Sequence, residues 1–159
     1  SITIGNSVTS IGDYAFRGCE SLTSITIGNS VTSIGEEAFY QCRKLESVTL
    51  NNGLITISDY AFYGCFSLKS IHIPDTVTRI ENQAFYSCQA LENVIIGNSV
   101  TVIGTEAFTA CAKLKSINIP KSVTLIKIDA FWVCPKLESA VFEETTGWRE
   151  GDNEISPEQ

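Results

Sequence analysis

The sequence predicts a repeat solenoid, because three kinds of core residue return every 23 positions along most of the chain. The first is phenylalanine, at Phe16, Phe39, Phe62, Phe85, Phe108 and Phe131. Cysteine follows three residues later, at Cys19, Cys42, Cys65, Cys88, Cys111 and Cys134, and leucine six residues later, at Leu22, Leu45, Leu68, Leu91, Leu114 and Leu137. A repeat this strict is typical of a stack of equivalent units that pack on their neighbours, and not of a globule around one central core.

The repeat units set the domain organisation. Six full units run from Ile2 to Ser139, and a remnant starts at Ala140. The units begin at Ile2, Ile25, Val48, Ile71, Val94 and Ile117. We therefore predict a repeat domain over residues 1–142. Residues 143–159 break the pattern and hold six acidic residues against Arg149, so we interpret them as an acidic C-terminal cap and tail in which Trp148 folds back over the last unit.

Each unit is expected to contain three elements in a fixed order. It opens with an alternating segment such as Ile25-Thr26-Ile27, the pattern of a half-buried strand, which stops at Gly28 or at the equivalent Pro or Asn. After a polar turn, a shorter segment such as Val31 to Ile34 predicts a second strand or extended bridge. An Ala-Phe pair follows, as at Ala38-Phe39, for which we expect a short helical turn with the Phe in the interior.

The unit L-x-x-I-x-I-(G/P)-x-x-V-T-x-I-x-x-x-A-F-x-x-C resembles the BspA-type leucine-rich repeat, a class found largely in surface and secreted proteins of bacteria and in some parasitic protists. The resemblance covers about Ile2 to Phe142, and the segment from Thr145 to Trp148 is similar to the way such arrays end. It implies an α/β-type repeat solenoid, namely a right-handed leucine-rich repeat array with a parallel sheet, short second strands and short helical turns. It also implies a role in attachment or protein recognition at a cell surface or after secretion. It carries over no catalytic residue, because the signature positions are core positions.

The charge of the chain argues against two classes of partner. The formal net charge is −7, of which residues 143–159 contribute −5, so the repeats carry −7 − (−5) = −2. Such a surface does not neutralise phosphates, so we expect neither nucleic acid nor anionic lipid as a partner. The absence of a long apolar run predicts that the chain does not insert into a membrane. The chain also has no Met, and Ser1 stands inside a strand-like pattern, so we expect a processed or excised fragment.

The six cysteines do not have the spacing of a metal site. Zinc ligands come in C-x-x-C pairs that converge on one point, whereas these cysteines occur once per unit at one equivalent position. Neighbouring strands of a parallel stack lie roughly 4.8 Å apart, so the thiols would form a line. We interpret them as buried, reduced and space-filling, with disulfides between neighbouring units and metal binding as the alternatives.

The sequence shows none of the residue groups that catalysis requires. The single histidine, His72, occupies an outward strand position without a recurring acid beside it, so we interpret it as a surface residue, with ligand contact as the alternative. Phosphate-binding, nucleophile-elbow, zinc-protease and calcium-loop motifs are absent. We therefore predict a non-enzymatic protein without a cofactor or a bound metal.

By elimination, the outward face of the first strands is the candidate binding surface. Its residues are small, polar and almost all uncharged, which suits the broad surfaces that solenoids use to bind proteins. They are Ser24, Thr26, Ser47, Thr49, Ser70, His72, Asn93, Ile95, Ser116 and Asn118. We predict that this face engages a protein partner, such as a host surface or matrix protein.

Three other features suggest further roles. Tyr40, Tyr63 and Tyr86 form a stripe that packs over the turns or, alternatively, binds carbohydrate. One column alternates in charge from unit to unit and predicts lateral ion pairs, at Thr23, Glu46, Lys69, Glu92, Lys115 and Glu138. The first unit has no capping sequence before it, so its edge strand could mediate self-association. The array would then be a structural spacer or a self-assembly segment without a dedicated ligand.

Overall fold

The described part of the chain contains only strands and turns. In chain order the strands are β1 (Ile2–Thr3), β2 (Ser10–Ile11), β3 (Ser24–Thr26), β4 (Ser33–Ile34), β5 (Ser47–Thr49), β6 (Thr56–Ile57), β7 (Ser70–His72), β8 (Arg79–Ile80), β9 (Asn93–Ile95), β10 (Val102–Ile103), β11 (Ser116–Ile119), β12 (Leu125–Ile126), β13 (Ser139–Phe142), β14 (Arg149–Glu150) and β15 (Asn153–Glu154). The structure is a computed structural model that describes residues 1–142 and the backbone of β14 and β15. The predicted cap by Trp148 lies outside the described residues, as does the rest of the predicted tail apart from the backbone of β14 and β15.

The first strands of successive units form parallel ladders. β1, β3, β5, β7 and β9 make a five-stranded sheet, and β11 pairs with β13. Paired residues on neighbouring strands are one repeat unit apart in the sequence, because Ile2 lies opposite Ile25 and Ile71 lies opposite Val94. Equivalent residues of neighbouring units are therefore direct neighbours, and the predicted parallel sheet is confirmed.

The shorter segments form a second parallel ladder, which runs through β2, β4, β6, β8, β10 and β12. At the C-terminal end, β14 continues this ladder in parallel, with Glu150 opposite Ile126. β15 then lies antiparallel along the other side of β14. The second strand of the last unit is thus covered by a hairpin.

The turn that contains the Ala-Phe pair is not helical, so the prediction of short helical turns was wrong, and with it the α/β class. The described residues instead form a parallel β-solenoid of about six turns. In the first unit, the N–H groups of Tyr14, Phe16 and Gly18 donate to carbonyl oxygens of the next unit, while Ala15 N–H donates back to Gly12. A single helical turn would leave its first N–H groups without partners, whereas stacking pairs them between units. Among the described residues, no helix has the length and apolarity of a membrane span.

Two residues in each of these turns have a left-handed backbone. The residue before Ala has φ from 51° to 58°, at Tyr14, Glu37, Tyr60, Gln83, Glu106 and Asp129. The residue before Cys has φ from 52° to 68°, at Gly18, Gln41, Gly64, Ser87, Ala110 and Val133. This conformation is unfavourable for residues other than glycine. The hydrogen bonds between units therefore offset the conformational strain of a left-handed backbone at ten residues that are not glycine.

The interior is a column of stacked phenylalanine rings. Neighbouring ring centroids along the stack are 5.2 to 5.6 Å apart and their planes lie within 6° of parallel. Phe39, Phe62, Phe85 and Phe108 are fully buried, as are the alanines that precede them. Only the end members, Phe16 and Phe131, are partly exposed. The predicted interior position of the Phe column is confirmed.

The cysteines form a second interior column of free thiols. From the second unit onward, each thiol donates to the carbonyl oxygen of the Phe in the preceding unit, at 3.1 to 3.4 Å. Burial raises the pKa of Cys42 to about 11 and the pKa values of Cys65 and Cys88 well above their ordinary range. The interpretation as buried, reduced residues is confirmed for the interior units, whereas Cys19 and Cys134, at the two ends, are only partly buried.

Candidate binding face

The ten residues predicted for the binding surface lie on one face of the first strands, which we call the sheet face. They are Ser24, Thr26, Ser47, Thr49, Ser70, His72, Asn93, Ile95, Ser116 and Asn118. Side chains alternate along a strand, so the residues between them, such as Ile25 and Ile71, point into the core and are buried. Ser24 is half-buried and the other nine are exposed. That this face binds a protein stays a prediction.

The backbone pairing behind the sheet face falls into two blocks. β7 and β9 pair along their whole length, with His72 opposite Ile95, and belong to the five-stranded sheet. β11 belongs to the separate pair with β13. The second ladder is continuous at the same level, from β8 through β10 to β12. β9 and β11 are nevertheless in contact, so Ile95 and Asn118 lie on neighbouring strands of the stack.

Ile95 is the one large apolar side chain among the ten residues of the sheet face. Its side chain is 59% exposed, between the positions of His72 and Asn118 in the units before and after it. The remaining members offer hydroxyl, amide and imidazole groups, so the face can donate and accept hydrogen bonds without a formal charge. An exposed apolar side chain among such groups is a common feature of protein interfaces.

Charged residues lie beside the sheet face. Lys69 and Glu46, which belong to the predicted charge column, form an ion pair at 2.6 Å. Glu92 pairs instead with Lys113 at 3.3 Å, and not with Lys115 as the column predicted, so the alternation holds only in part. These side chains are about half exposed, and such pairs contribute roughly 0 to 1 kcal/mol each. Within residues 1–142, no three His, Cys, Asp or Glu side chains come close enough together to hold a metal ion.

The tyrosine stripe lies over the turns. The Tyr40 and Tyr63 ring centroids are 4.8 Å apart, and so are those of Tyr63 and Tyr86, with planes within 10° of parallel. All three rings are half-buried, and burial is the main cause of the raised pKa of Tyr63. The ring faces thus contact one another, as the interpretation of packing over the turns requires. Stacking of a sugar ring on the middle of the stripe would have to separate two tyrosines.

Sequence reasoning missed the role of Arg17, which stands where other units have an aromatic residue. Its guanidinium carbon lies 4.8 Å from the centroid of the Tyr40 ring and 5.6 Å from that of Tyr14. The same group forms an ion pair with Glu37 at 2.9 Å. Arg17 therefore covers the outer face of the tyrosine stripe at its N-terminal end. The sequence did contain a signal for this role, because the column of Arg17 holds an aromatic residue in four other units and Tyr14 lies three residues before it.

Solved structures similar to this chain come from bacteria. A leucine-rich repeat protein of T. pallidum is 33% identical, with a TM-score of 0.85 over 90% of this chain and 71% of that chain. A leucine-rich repeat protein of Eubacterium ventriosum is 29% identical, with a TM-score of 0.83 over 97% of this chain and 40% of that chain. The pneumococcal vaccine antigen PcpA is 27% identical, with a TM-score of 0.77 over 86% of this chain and 36% of that chain. No curated protein matches the chain significantly.

The family comparison agrees with the repeat seen in the structure. The model described as the BspA type leucine rich repeat region matches in six copies, over residues 1–65 and 32–148. The matched residues include all six Ala-Phe-x-x-Cys turns, which supply the stacked rings and the thiol column. The chain belongs to the BspA-type leucine-rich repeat family.

Proposed function

We propose that the chain is a non-enzymatic protein-binding or adhesion module of a bacterial cell-surface or secreted protein, and that it recognises a host or neighbouring-cell protein through the sheet face. The observation that carries this proposal is Ile95, which is 59% exposed between His72 and Asn118 on an otherwise polar face. Transfer of such a side chain from water into an interface is favourable by roughly 1.5 to 3 kcal/mol. The surrounding hydroxyl and amide groups would supply orientation and specificity.

The similar proteins support the bacterial and surface parts of the proposal. One of them is a vaccine antigen of pneumococcus, and an antigen that antibodies can reach is accessible from outside the cell. This chain spans 40% or less of two of the three proteins compared above, so their remaining parts have no counterpart here. The proposal therefore concerns the repeat module alone.

The test compares two isoleucines of similar exposure on different surfaces. Ile95→Ser removes the exposed apolar side chain of the sheet face, while Ile55→Ser changes a residue that is 48% exposed and directly precedes β6 in the second ladder. Labelled chain is applied to an array of extracellular matrix proteins and to cultured host cells, and the bound fraction is measured against concentration. We expect Ile95→Ser to weaken binding by about tenfold or more and Ile55→Ser to leave it unchanged. Equal effects of the two changes, or binding that neither alters, would refute the sheet face as the binding surface.

Two alternatives make different predictions. If the array is a spacer without a ligand, neither matrix proteins nor cells retain the wild-type chain. If the stripe of Tyr40, Tyr63 and Tyr86 binds carbohydrate, a glycan array gives signals that Tyr63→Ala removes and Ile95→Ser does not. The mutual stacking of the rings makes the carbohydrate alternative the less favoured of the two.

A further inference from the structure

The ladder of first strands is incomplete at a place inside the array, between β5 and β7. These two strands pair only at Ser47 and Ser70. By contrast, β3 pairs with β5, and β7 pairs with β9, over three residues each. We call the place where β5 and β7 part the seam, and it has full repeat units on both sides. Its residues are Val48, Thr49, Leu50, Ile71 and His72.

One backbone hydrogen bond is missing at the seam. Where first strands pair fully, the residue after the strand donates its N–H to the next unit. Ile27 donates in this way to Thr49 O, and Ile73 donates to Ile95 O, each at 2.9 Å. The N–H of Leu50, at the equivalent position, has no acceptor among the described residues. Such a group is stable only where water can reach it.

Two core side chains are partly exposed at the seam. Val48 and Leu50 point toward the interior but are only half-buried. The equivalent side chains in the units before and after them are at most 2% exposed, at Ile25, Ile27, Ile71 and Ile73. The side-chain exposure and the missing hydrogen bond therefore agree that the strands part here.

Pro74 explains why the strands part. A Cβ added at Gly28, which ends a fully paired strand, would lie 2.5 Å from the carbonyl oxygen of Ile4, closer than real Cβ atoms come. Pro74 is the equivalent of Gly28 in the unit after the seam, and Leu50 is the equivalent of Ile4. Because Pro74 has a Cβ, its unit cannot approach Leu50 as closely as Gly28 approaches Ile4. The strands must therefore separate at their C-terminal ends.

Asn51 shows how a residue with a Cβ can stand at this position without opening the ladder. Its side-chain nitrogen donates to Gly28 O at 2.8 Å and to Val31 O at 3.1 Å, and both acceptors belong to the preceding unit. These hydrogen bonds hold β5 to the unit of β3. Pro74 has no polar side-chain group that could hold β7 to β5 in the same way. β5 is thus firmly bonded on one side and loosely bonded on the other.

The units on the two sides of the seam remain joined away from the sheet face. In the second ladder, β6 pairs with β8 over both of its residues. In the interior, the Phe62 and Phe85 rings stack with their centroids 5.3 Å apart, as closely as elsewhere in the column. A small rotation about the second ladder would therefore widen or close the seam while the interior column stays stacked.

We propose that the seam is a hinge in the sheet face, created by the Cβ of Pro74, at which β5 and β7 part and meet while the second ladder joins the two halves of the array. Its opening changes the curvature of the sheet face between Thr49 and His72. Collective hinge motions of this kind occur in microseconds to milliseconds. The hinge belongs to the free chain and is tested without a partner, so its failure and the failure of the proposed function are separate outcomes.

The test is nuclear magnetic resonance of the backbone amides in the isotope-labelled chain. Hydrogen exchange should be about 100-fold or more faster at the N–H of Leu50 than at those of Ile27 and Ile73, which are hydrogen-bonded. Relaxation dispersion, which detects motion in microseconds to milliseconds, should appear at Leu50 and His72. We expect flat dispersion profiles at Ile25 and Ile27, in the fully paired part of the ladder.

Three proline variants identify the cause of the hinge. Pro74→Gly removes the Cβ and restores the residue type that ends the strand at Gly28, so the N–H of Leu50 should exchange as slowly as that of Ile27 and its dispersion should disappear. Pro74→Ala keeps the Cβ and should behave like the wild type. Pro120→Gly is the matched control, because it makes the same change two units later and should leave Leu50 unaltered.

Several results would overturn the proposal. Flat profiles at Leu50 and His72 in the wild type would mean that the seam is a static gap. Dispersion that persists in Pro74→Gly, or that Pro120→Gly also removes, would show that the motion does not arise at Pro74. A Pro74→Ala chain that behaves like Pro74→Gly would rule out the Cβ as its cause. Circular dichroism establishes that each variant is folded, and if Pro74→Gly is not, the wild-type profiles alone decide between a hinge and a static gap.

Discussion

The thiol of Cys65 donates a hydrogen bond to the carbonyl oxygen of Phe39 in the preceding unit, with 3.3 Å between sulfur and oxygen. The same carbonyl also accepts the N–H of Cys42 within its own unit. Each interior thiol thus joins two units while filling space between them. A neutral thiol can make this bond and a thiolate cannot, because only the neutral form has a proton to donate.

The thiol column makes the stability of the fold decrease as the pH rises in the alkaline range. Burial raises the pKa values of Cys65 and Cys88 well above the ordinary value of 9.0. Above about pH 9 the unfolded chain loses these protons while the folded chain retains them, so the free energy of unfolding falls by up to about 1.4 kcal/mol per pH unit for each thiol. Below that pH both states hold the proton and the thiols cause no pH dependence. Urea unfolding followed at pH values from 7 to about 10.5 measures this slope.

A cysteine variant isolates the contribution of one thiol to that slope. Cys65→Ala removes the hydrogen bond and some packing, so we expect it to lose roughly 1 to 3 kcal/mol at neutral pH. Its free energy of unfolding should then fall less steeply above pH 9 than that of the wild type, because one fewer buried thiol resists ionisation. Identical slopes for the two chains would mean that the thiols are not responsible.

Two glycines provide a matched test of the close approach between units. Gly28→Ala puts a methyl group 2.5 Å from the carbonyl oxygen of Ile4, so the two units must move apart and we expect a loss of about 1 to 3 kcal/mol. Gly5→Ala makes the same chemical change where no atom lies within 4 Å, and we expect a change within about 0.5 kcal/mol. Chemical denaturation at low protein concentration measures both. Equal losses would show that the backbone conformation of glycine matters here, and not the packing between units.

The sequence predicted the parts of the fold that depend on side-chain columns. Because Ile25 and Ile71 alternate with polar residues and recur at the repeat interval, the strands, their register and their outward face followed directly. The turns did not follow, since Glu37 and Gln83 give no sign of a left-handed backbone. Such residues adopt it because hydrogen bonds to the next unit offset the cost, and this gain is invisible in any single unit. The pair of Glu92 with Lys113 was missed for a similar reason, because the two residues belong to different columns.

A buried asparagine replaces Gly or Pro once in the series and holds the turn in its own way. The side-chain nitrogen of Asn51 donates to Gly28 O at 2.8 Å and Val31 O at 3.1 Å, and its side-chain oxygen accepts the Gly53 N–H. Asn51→Asp retains the shape but has no amide protons for the two carbonyls and adds a buried charge. We expect a loss of about 3 kcal/mol or more at neutral pH.

The pH dependence of the Asn51 variant checks this explanation. An aspartate at position 51 would be stabilised in its protonated form, which raises its folded pKa, so the stability deficit should shrink as the pH falls and the carboxyl group regains its proton. Urea unfolding of wild type and Asn51→Asp at about pH 7 and about pH 4 compares the two. A deficit that is the same at both pH values would indicate that the carboxylate is not buried unpaired.

Val133 occupies the left-handed position before Cys in the last unit, where φ is 52°. A β-branched side chain is strained in this conformation, and about half of this one is exposed, so few contacts compensate it. The equivalent residue is glycine in two other units, at Gly18 and Gly64. We expect Val133→Gly to raise the free energy of unfolding by about 1 kcal/mol, since it removes the strain and loses little burial. The reverse change, Gly64→Val, should lower it by more than that, because it adds both strain and contact with Gln41. Thermal unfolding of the two variants measures the contrast. A Val133→Gly chain less stable than the wild type would contradict the explanation that these turns hold backbone strain that is offset by hydrogen bonds between units.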